Sequence, residues 1–498
     1  MNPLSNTIER QTAWLPAPSG IFGLVVFLLL ITTQGPKLLV DGDTYTHIRC
    51  GQWMIENGHI LDHDTFSHTV AGKPWMAHEW GAQVIMGWLY QHGGLPSIAI
   101  FFSWLAAISL SLFYRIAERL SSSPWLPLAI TSATLILAYP HLIARPHLFT
   151  WLFGAVTLAL LIWDDGRFRV LHPLLTVFWA NLHGGFVLGL ILQAGYLAGH
   201  CIENWRCLGF RMTLTGRRKD LLILVCSVLA ALITPFGIDL LLFYFHVSAA
   251  DVSAHNPEWM SPNLKTFWPY RIYLVALFLA LCCARRRPSW TNLLLMVLFV
   301  DASLTHRRHI SIAAMFLTPL WVELLQPHFQ KASVVTANLH SQLRLSYWSG
   351  PALQTITTAV LLIGLAFAPF HCRSDFSSLF PISTRFPHQA WEWIEVNQPQ
   401  GRVLNETTWG AFLIYRTAGT IPVFIDGFAD KYGGQIYGDY YRIANLDMQV
   451  DDLLDSYQVD WVLFPTSSPL VRYLAATGRW QSTYTDDQAS ILTRKILQ

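Results

Sequence analysis

Two carboxylates lie two residues apart at Asp41-Gly-Asp43, just behind the first long apolar run of the chain. In an extended segment that spacing turns both side chains to one face. Two carboxylates aimed together can bind a divalent cation, or one can act as a base while the other orients it. The plainer alternative is a helix cap beside a solvated acid, because a helix starting near Thr44 puts Asp43 at its N-cap. The segment continues with Glu56, Asp62, Asp64 and Glu79, interleaved with His47, His59, His63, His68 and His78. No pair has HExxH spacing, and His78-Glu79 lacks the second histidine, which argues against a zinc hydrolase.

Three further groups stand out. Arg145, followed by Pro146 and His147, carries the bidentate donors that suit a phosphate, or else snorkels at an interface. Asn181 and His183 precede Gly184-Gly185 and read as a cavity lining or a tight turn. Arg307-Arg308-His309 is a basic knot suited to an anion subsite or to lipid headgroups, with Asp301 near enough to neutralise Arg308. Farther on, Trp409-Gly-Ala and Phe424-Ile-Asp426-Gly427 read as strand and turn elements. There Asp426, Asp430 and Lys431 face the site or cap turns, with capping favoured.

The elements that must position these groups are set by composition. The chain of 498 residues is 53% hydrophobic and 13% charged, with a mean hydropathy of +0.36. Soluble domains carry about 25% charged residues, so lipid is the natural solvent for much of this chain. The 21 tryptophans suit membrane-interface belts. The net charge of +2 says nothing about partners, and no basic tract resembles a nucleic-acid surface. Eleven apolar spans are predicted, at 17–36, 95–113, 125–141, 147–163, 170–181, 184–201, 220–235, 270–284, 289–303, 309–325 and 351–370. No small-x-small cleavage site follows the first apolar run, so it reads as a span rather than a leader.

Threading from a cytoplasmic N-terminus sorts the basic clusters to one side: Arg115 and Arg119, Arg167 and Arg169, Arg206 through Lys219, Arg285 to Arg287, and Lys331 with Arg344. Three features then lie outside. The first is a loop over 37–94, with amphipathic helices from Thr44 to Asn57 and from Ala77 to Tyr90 lying in the interface. The second is Phe236 to Tyr270, with a short apolar helix over Leu240 to Val247. The third is a tail predicted as an α/β domain over 371–498, set against a membrane domain over 1–370. Its helices fall at 388–397, 449–457 and 467–476, and its strands at 401–404, 420–425, 459–464 and 489–493. Of seven scattered cysteines, only Cys50 and Cys372 fall outside, which permits one disulfide without implying it.

An acidic pair in the first outer loop, then amphipathic helices, many spans and a soluble tail, resembles the membrane glycosyltransferases of the GT-C fold. These include protein mannosyltransferases, oligosaccharyltransferase catalytic subunits and aminoarabinose transferases of lipid A. The runs DGDTYTHIRCGQWMIENGHI and DTFSHTVAGKPWMAHEW, with ARPHLF (144–149), FWANLHGGFVLGL (178–190) and FIDGFADKY (424–432), also resemble a set of bacterial multi-span proteins. The resemblance implies inverting transfer of a sugar from a polyprenyl-phosphate-linked donor to a glycan, lipid or protein acceptor at the outer face of the cell's inner membrane. It implies Asp43 as the base, Asp41 as alternate base or metal ligand, and Glu79 as a second acid. It also implies that Asp41 and Asp43 hold a divalent ion, Mg or Mn, where one is used. His47, His78, Arg145, His147, Asn181, His183, Arg308 and His309 would then meet the substrate and its phosphate. Two other readings stand beside it: a transporter or lipid flippase, and a non-catalytic partner in polysaccharide assembly or export.

Overall fold

The computed structural model describes residues 17–123, 125–163, 167–209, 215–249, 258–329, 384–447 and 449–495. It is a helical assembly with one small mixed sheet. The apolar periodicity of the sequence maps closely onto its helices. These run Pro18–Leu38, Trp125–Ala138, His147–Trp163, His172–Leu182, Phe186–Leu208, Arg218–Ala230, Trp268–Cys282 and Trp290–Thr305. The short apolar helix expected at 240–247 is Ile238–Ala249.

The described residues show fewer clear spans than the eleven expected. Among the described residues two helices, Trp80–Leu120 and Phe186–Trp205, are long and apolar enough to cross a membrane. A third span results if Arg307–Phe316 and Thr318–Phe329, bent by 49°, act together. Shorter apolar helices include Pro18–Thr33, His147–Trp163, Trp268–Cys282 and Trp290–Thr305. The expected span at 351–370, with Cys372, lies outside the described residues. Cys50 is buried and free.

The first loop departs from its prediction in two ways. Its second helix does not end in a loop at Tyr90 but meets the next apolar helix at a kink, the two together covering Trp80–Leu120. The run breaks only at Gly94, whose φ of 64° and ψ of −160° suit glycine. Ser97 Oγ repairs the break by donating to the carbonyls of Leu89 and Gly94, both at 2.7 Å. The first helix, Gly42–Asn57, is not a free interfacial helix, because Gly42 through Gly51 are all buried. Gly51 and Gly87 let it cross Trp80–Leu120 backbone to backbone; a Cβ on Gly51 would stand 1.8 Å from the Gln83 carbonyl oxygen.

The tail covers another face of that helix. A Cβ on Gly42 would meet the Thr408 carbonyl oxygen at 2.9 Å, and Tyr45 packs edge-on against Phe386 and Tyr415. The tail sheet has the order β1 (Arg402–Asn405), β2 (Val459–Pro465), β4 (Ala489–Arg494), β3 (Trp480–Thr485). β1 and β2 are parallel and the other pairs antiparallel. Helix His388–Asn397 falls where expected, and Val450–Ser456 and Pro469–Ala476 nearly so. The stretch 420–425 forms no strand of this sheet; Val423 makes only a bridge to Ser67 of the first loop. Trp409-Gly-Ala belongs to a helix, Thr407–Arg416, that the glycine obscured in the sequence. A second unpredicted helix is Ala429–Ala444.

Candidate active site

The turn that carries Arg145 is sewn to the acidic pair by backbone. Ala144 N–H donates to the Leu38 carbonyl at 2.8 Å, and the Thr44 hydroxyl donates to the Ala144 carbonyl at 3.0 Å. Arg145 therefore lies directly on the pair. Its guanidinium reaches Asp41 Oδ2 at 3.1 Å and Asp43 Oδ2 at 2.6 Å. A third carboxylate, Glu258, meets the same group at 3.3 Å. The N-cap is Asp41, not Asp43: the helix begins at Gly42, and Asp41 Oδ1 accepts the Asp43 N–H at 3.4 Å. Asp43 sits in the first turn, and its Oδ1 lies against Gly427 of the tail, where a Cβ would stand 1.7 Å away.

One cation cannot satisfy three acids in a buried place. Burial raises Asp43 to about 8 against the pull of Arg145, and the charges of Asp41 and Glu258 push the same way. Asp41 is also raised, by burial first. Glu258 goes the other way, to about 2, because the Arg145 charge outweighs its burial and Arg308 adds to it. Arg145 is held charged by the three carboxylates despite its own burial. The surplus proton therefore belongs to the Asp41–Asp43 pair rather than to one residue.

A second cluster centres on Glu79. His183 Nε2 reaches Glu79 Oε1 at 3.2 Å and His47 Nε2 reaches Oε2 at 3.5 Å. The tautomers follow from what lies behind each ring. Gly185 N–H donates to His183 Nδ1 at 2.9 Å, and the Thr150 hydroxyl meets the same nitrogen at 2.7 Å. Gln83 Nε2 donates to His47 Nδ1 at 3.3 Å. Both Nδ1 atoms accept, so both rings carry their proton on Nε2 and aim it at Glu79. Burial pushes both histidines well down, which keeps them neutral, and raises Glu79. His78 stands farther off, with Nε2 at 4.0 Å.

The remaining predicted residues divide. Asn181 is structural rather than a cavity donor: its Oδ1 accepts from Trp80 Nε1, and its amide donates to the Val177 and Ile233 carbonyls. His147 Nε2 donates to the His141 carbonyl, and His309 Nδ1 donates to the Ala302 carbonyl. Arg308 stacks over Trp259 at 4.3 Å, while Asp301 is exposed and forms no described ion pair with it.

The tail acids do more than cap turns. Lys431 Nζ is buried between Asp64 at 3.1 Å and Asp426 at 2.6 Å, tying the first loop to the tail. Asp430 accepts from Trp75 Nε1 at 2.9 Å. Phe428, just beyond Gly427, packs against His47 and Trp75. Sequence reasoning missed Glu258, the approach of Gly427 to Asp43 and the Asp64 ion pair. Glu258 stands outside any periodic segment. The pairing of Asp64 with Lys431 spans 367 residues, a separation that a single sequence does not signal.

The expected divalent ion does not fit the pair in this arrangement. Both Oδ2 atoms already face Arg145, and among the described residues no group of three His, Cys, Asp or Glu side chains could hold a metal. An apolar hollow of about 350 Å³, lined by Ala194, Leu197, Cys201, Trp205 and Leu224 among others, includes no residue of either cluster.

No sequence family matches the chain, and no curated protein matches it. Solved structures do. The oligosaccharyltransferase AglB of Archaeoglobus fulgidus, in complex with an inhibitory peptide and a dolichol-phosphate, superposes with a TM-score of 0.59 at 10% identity. That match covers 95% of this chain and 71% of that one. A structure of the Archaeoglobus fulgidus oligosaccharyltransferase in complex with Zn and sulfate gives 0.52 at 10% identity, over 96% and 73%. ArnT of Cupriavidus metallidurans, bound to undecaprenyl phosphate, gives 0.52 at 13% identity, over 97% and 99%. The fold is the one these oligosaccharyltransferase and ArnT structures share.

Proposed function

We propose that this chain is a membrane glycosyltransferase that moves a sugar from a polyprenyl-phosphate-linked donor to an acceptor, with Asp43 as the base. The reading starts from the shared fold, whose solved neighbours include proteins bound to dolichol-phosphate and undecaprenyl phosphate. The observation that carries it is Arg145 seated on Asp41 and Asp43. With Asp43 as the base and Arg145 as the partner of the phosphate, that arrangement would meet the two needs of glycosyl transfer from a phosphate.

In the proposed reaction the acceptor's oxygen or nitrogen attacks the anomeric carbon of the donor sugar. Its proton passes to Asp43 as the new bond to carbon forms. The bond between the anomeric carbon and the phosphate oxygen breaks, and the electron pair leaves with polyprenyl phosphate. Arg145, with Arg308 as a second cation, offsets the charge on the departing phosphate. Attack opposite the leaving group inverts the anomeric centre.

Asp43 is preferred to Asp41 because Asp41 already gives one oxygen to the helix cap. A value of about 8 poises Asp43 near neutrality, where a base works best. Glu79, with the His183 and His47 rings close to its two oxygens, is the proposed second acid. His78, His147, Asn181 and His309 support the walls.

The reading places the site on the outer face of the inner membrane, with the N-terminus cytoplasmic, the domain boundary near 370 and the tail outside. The test is release of undecaprenyl phosphate from undecaprenyl-phosphate-linked hexoses by the full chain in vesicles. Covalent transfer with release supports the proposal. Flux of the lipid across the vesicle without covalent change would instead establish the flippase reading.

A further inference from the structure

Glu258 lies beyond the roles assigned above. Its segment is strapped to the basic turn at 306–308. Arg308 N–H donates to the Glu258 carbonyl at 3.2 Å, and Arg307 N–H donates to the Met260 carbonyl at 2.9 Å. His306 Nδ1 donates to the Trp259 carbonyl at 2.6 Å, and Ser261 Oγ donates to the Thr305 carbonyl at 3.2 Å. The Arg308 guanidinium closes over Trp259. From this strap the Glu258 side chain reaches across to Arg145, with Oε1 at 3.3 Å and Oε2 at 3.5 Å.

The Glu258 carboxylate thus stands between two cationic turns, one at Arg145 and one at Arg308. It presents two oxygens to a guanidinium, as a phosphate would. It is also the most exposed partner of Arg145: its side chain is 36% exposed, against 21% for Asp41 and 12% for Asp43. It is therefore the one of the three that an incoming anion can displace without unfolding the helix start. Asp41 and Asp43 remain to hold Arg145 when it leaves.

We propose that Glu258 is a stand-in anion that fills the phosphate subsite at Arg145 in the resting protein and must swing out before a lipid phosphate binds. The inference rests on the proposed transferase reading for its ligand class. Its chemistry, a phosphate monoester or diester between two arginines, does not depend on turnover. The strap also gives the released carboxylate a defined anchor, since the backbone contacts to residues 305–308 do not involve the side chain.

The test is binding without catalysis. Full-length protein in nanodiscs is titrated with undecaprenyl phosphate and, separately, with inorganic phosphate, and Kd is read from tryptophan fluorescence. Glu258→Gln removes the competing charge and is expected to tighten undecaprenyl phosphate about tenfold, within the usual range for coupled binding events. Glu258→Asp keeps the charge but shortens its reach, so it shifts Kd the same way by less. Arg145→Gln abolishes the gain when combined with Glu258→Gln. A parallel gain for inorganic phosphate assigns the subsite to the phosphate itself; a gain for the lipid alone assigns it to the phosphate held by its chain. Unchanged or weaker binding of both probes in Glu258→Gln and Glu258→Asp overturns the proposal. Because no sugar is transferred, that result is distinct from a failure of the transferase reading.

Discussion

Gly427→Ala is the most economical probe of how the tail serves the site. Gly427 is not among the glycines with positive φ, so alanine fits its backbone. What it does not fit is Asp43. The new Cβ would stand 1.7 Å from Oδ1, where ordinary contact starts at 3.4 Å. Asp43 and the tail segment must therefore separate by about 1.7 Å, and a misplacement of about 1 Å at a reacting group costs on the order of 100-fold in rate. The Lys431 latch resists retreat of the tail, so most of the movement falls on the carboxylate. We expect kcat for release of undecaprenyl phosphate to fall about 100-fold, with KM for the donor nearly unchanged. Gly438→Ala is the control, because its Cβ would meet nothing within 4 Å. A Gly427→Ala rate within about threefold of wild type, with normal membrane insertion, would refute the placement of Asp43 against the tail.

Other outcomes follow from the same geometry. The transfer rate should rise with pH through about 8, because burial keeps the surplus proton on the Asp41–Asp43 pair below that point and only an ionised Asp43 accepts a proton. Glu258→Gln removes a charge that raises Asp43, so it should move that limb to lower pH. Arg145→Gln removes the main lowering influence and should move it higher; a limb that shifts in neither variant contradicts the coupling. Lys431→Met leaves Asp64 and Asp426 buried without a cation, and should cost about 3–5 kcal/mol, read as a large fall in melting temperature. His183→Gln can still donate to Glu79 and should keep more activity than His183→Ala; equal losses would show that the ring, not its N–H, matters.

Much of the helical scaffold could be read from the sequence because apolar runs report directly on helices that face lipid or a core. His147–Trp163 and His388–Asn397 fall on their expected bounds. The Thr44–Asn57 helix was also legible, but its environment was not. Its mixed polarity suits an interface, yet glycines at 42 and 51 let two other helices cover it. Glycine hid the helix Thr407–Arg416 for the same reason: Gly410 reads as a turn but serves a close approach to the Ile425 carbonyl. At the site, Asp41, Asp43 and Arg145 were legible through residue type and position. Their direct contact was not, since it depends on the turn at 142–146 folding back onto Leu38 and Thr44. Ion pairs such as Asp64 with Lys431 leave no local pattern at all.

The central claim is that Asp43 takes the acceptor's proton. Asp43→Asn preserves size and the contact with Gly427 while removing the base. The decisive measurement is single-turnover transfer from undecaprenyl-phosphate-linked hexose by this variant, beside Asp41→Ser, which keeps the helix cap. The account predicts a loss of about 10²–10⁴-fold for Asp43→Asn, with the pH limb gone and donor binding retained. It predicts a smaller loss with the limb intact for Asp41→Ser. Transfer by Asp43→Asn at the wild-type rate, with the pH dependence unchanged, would contradict it.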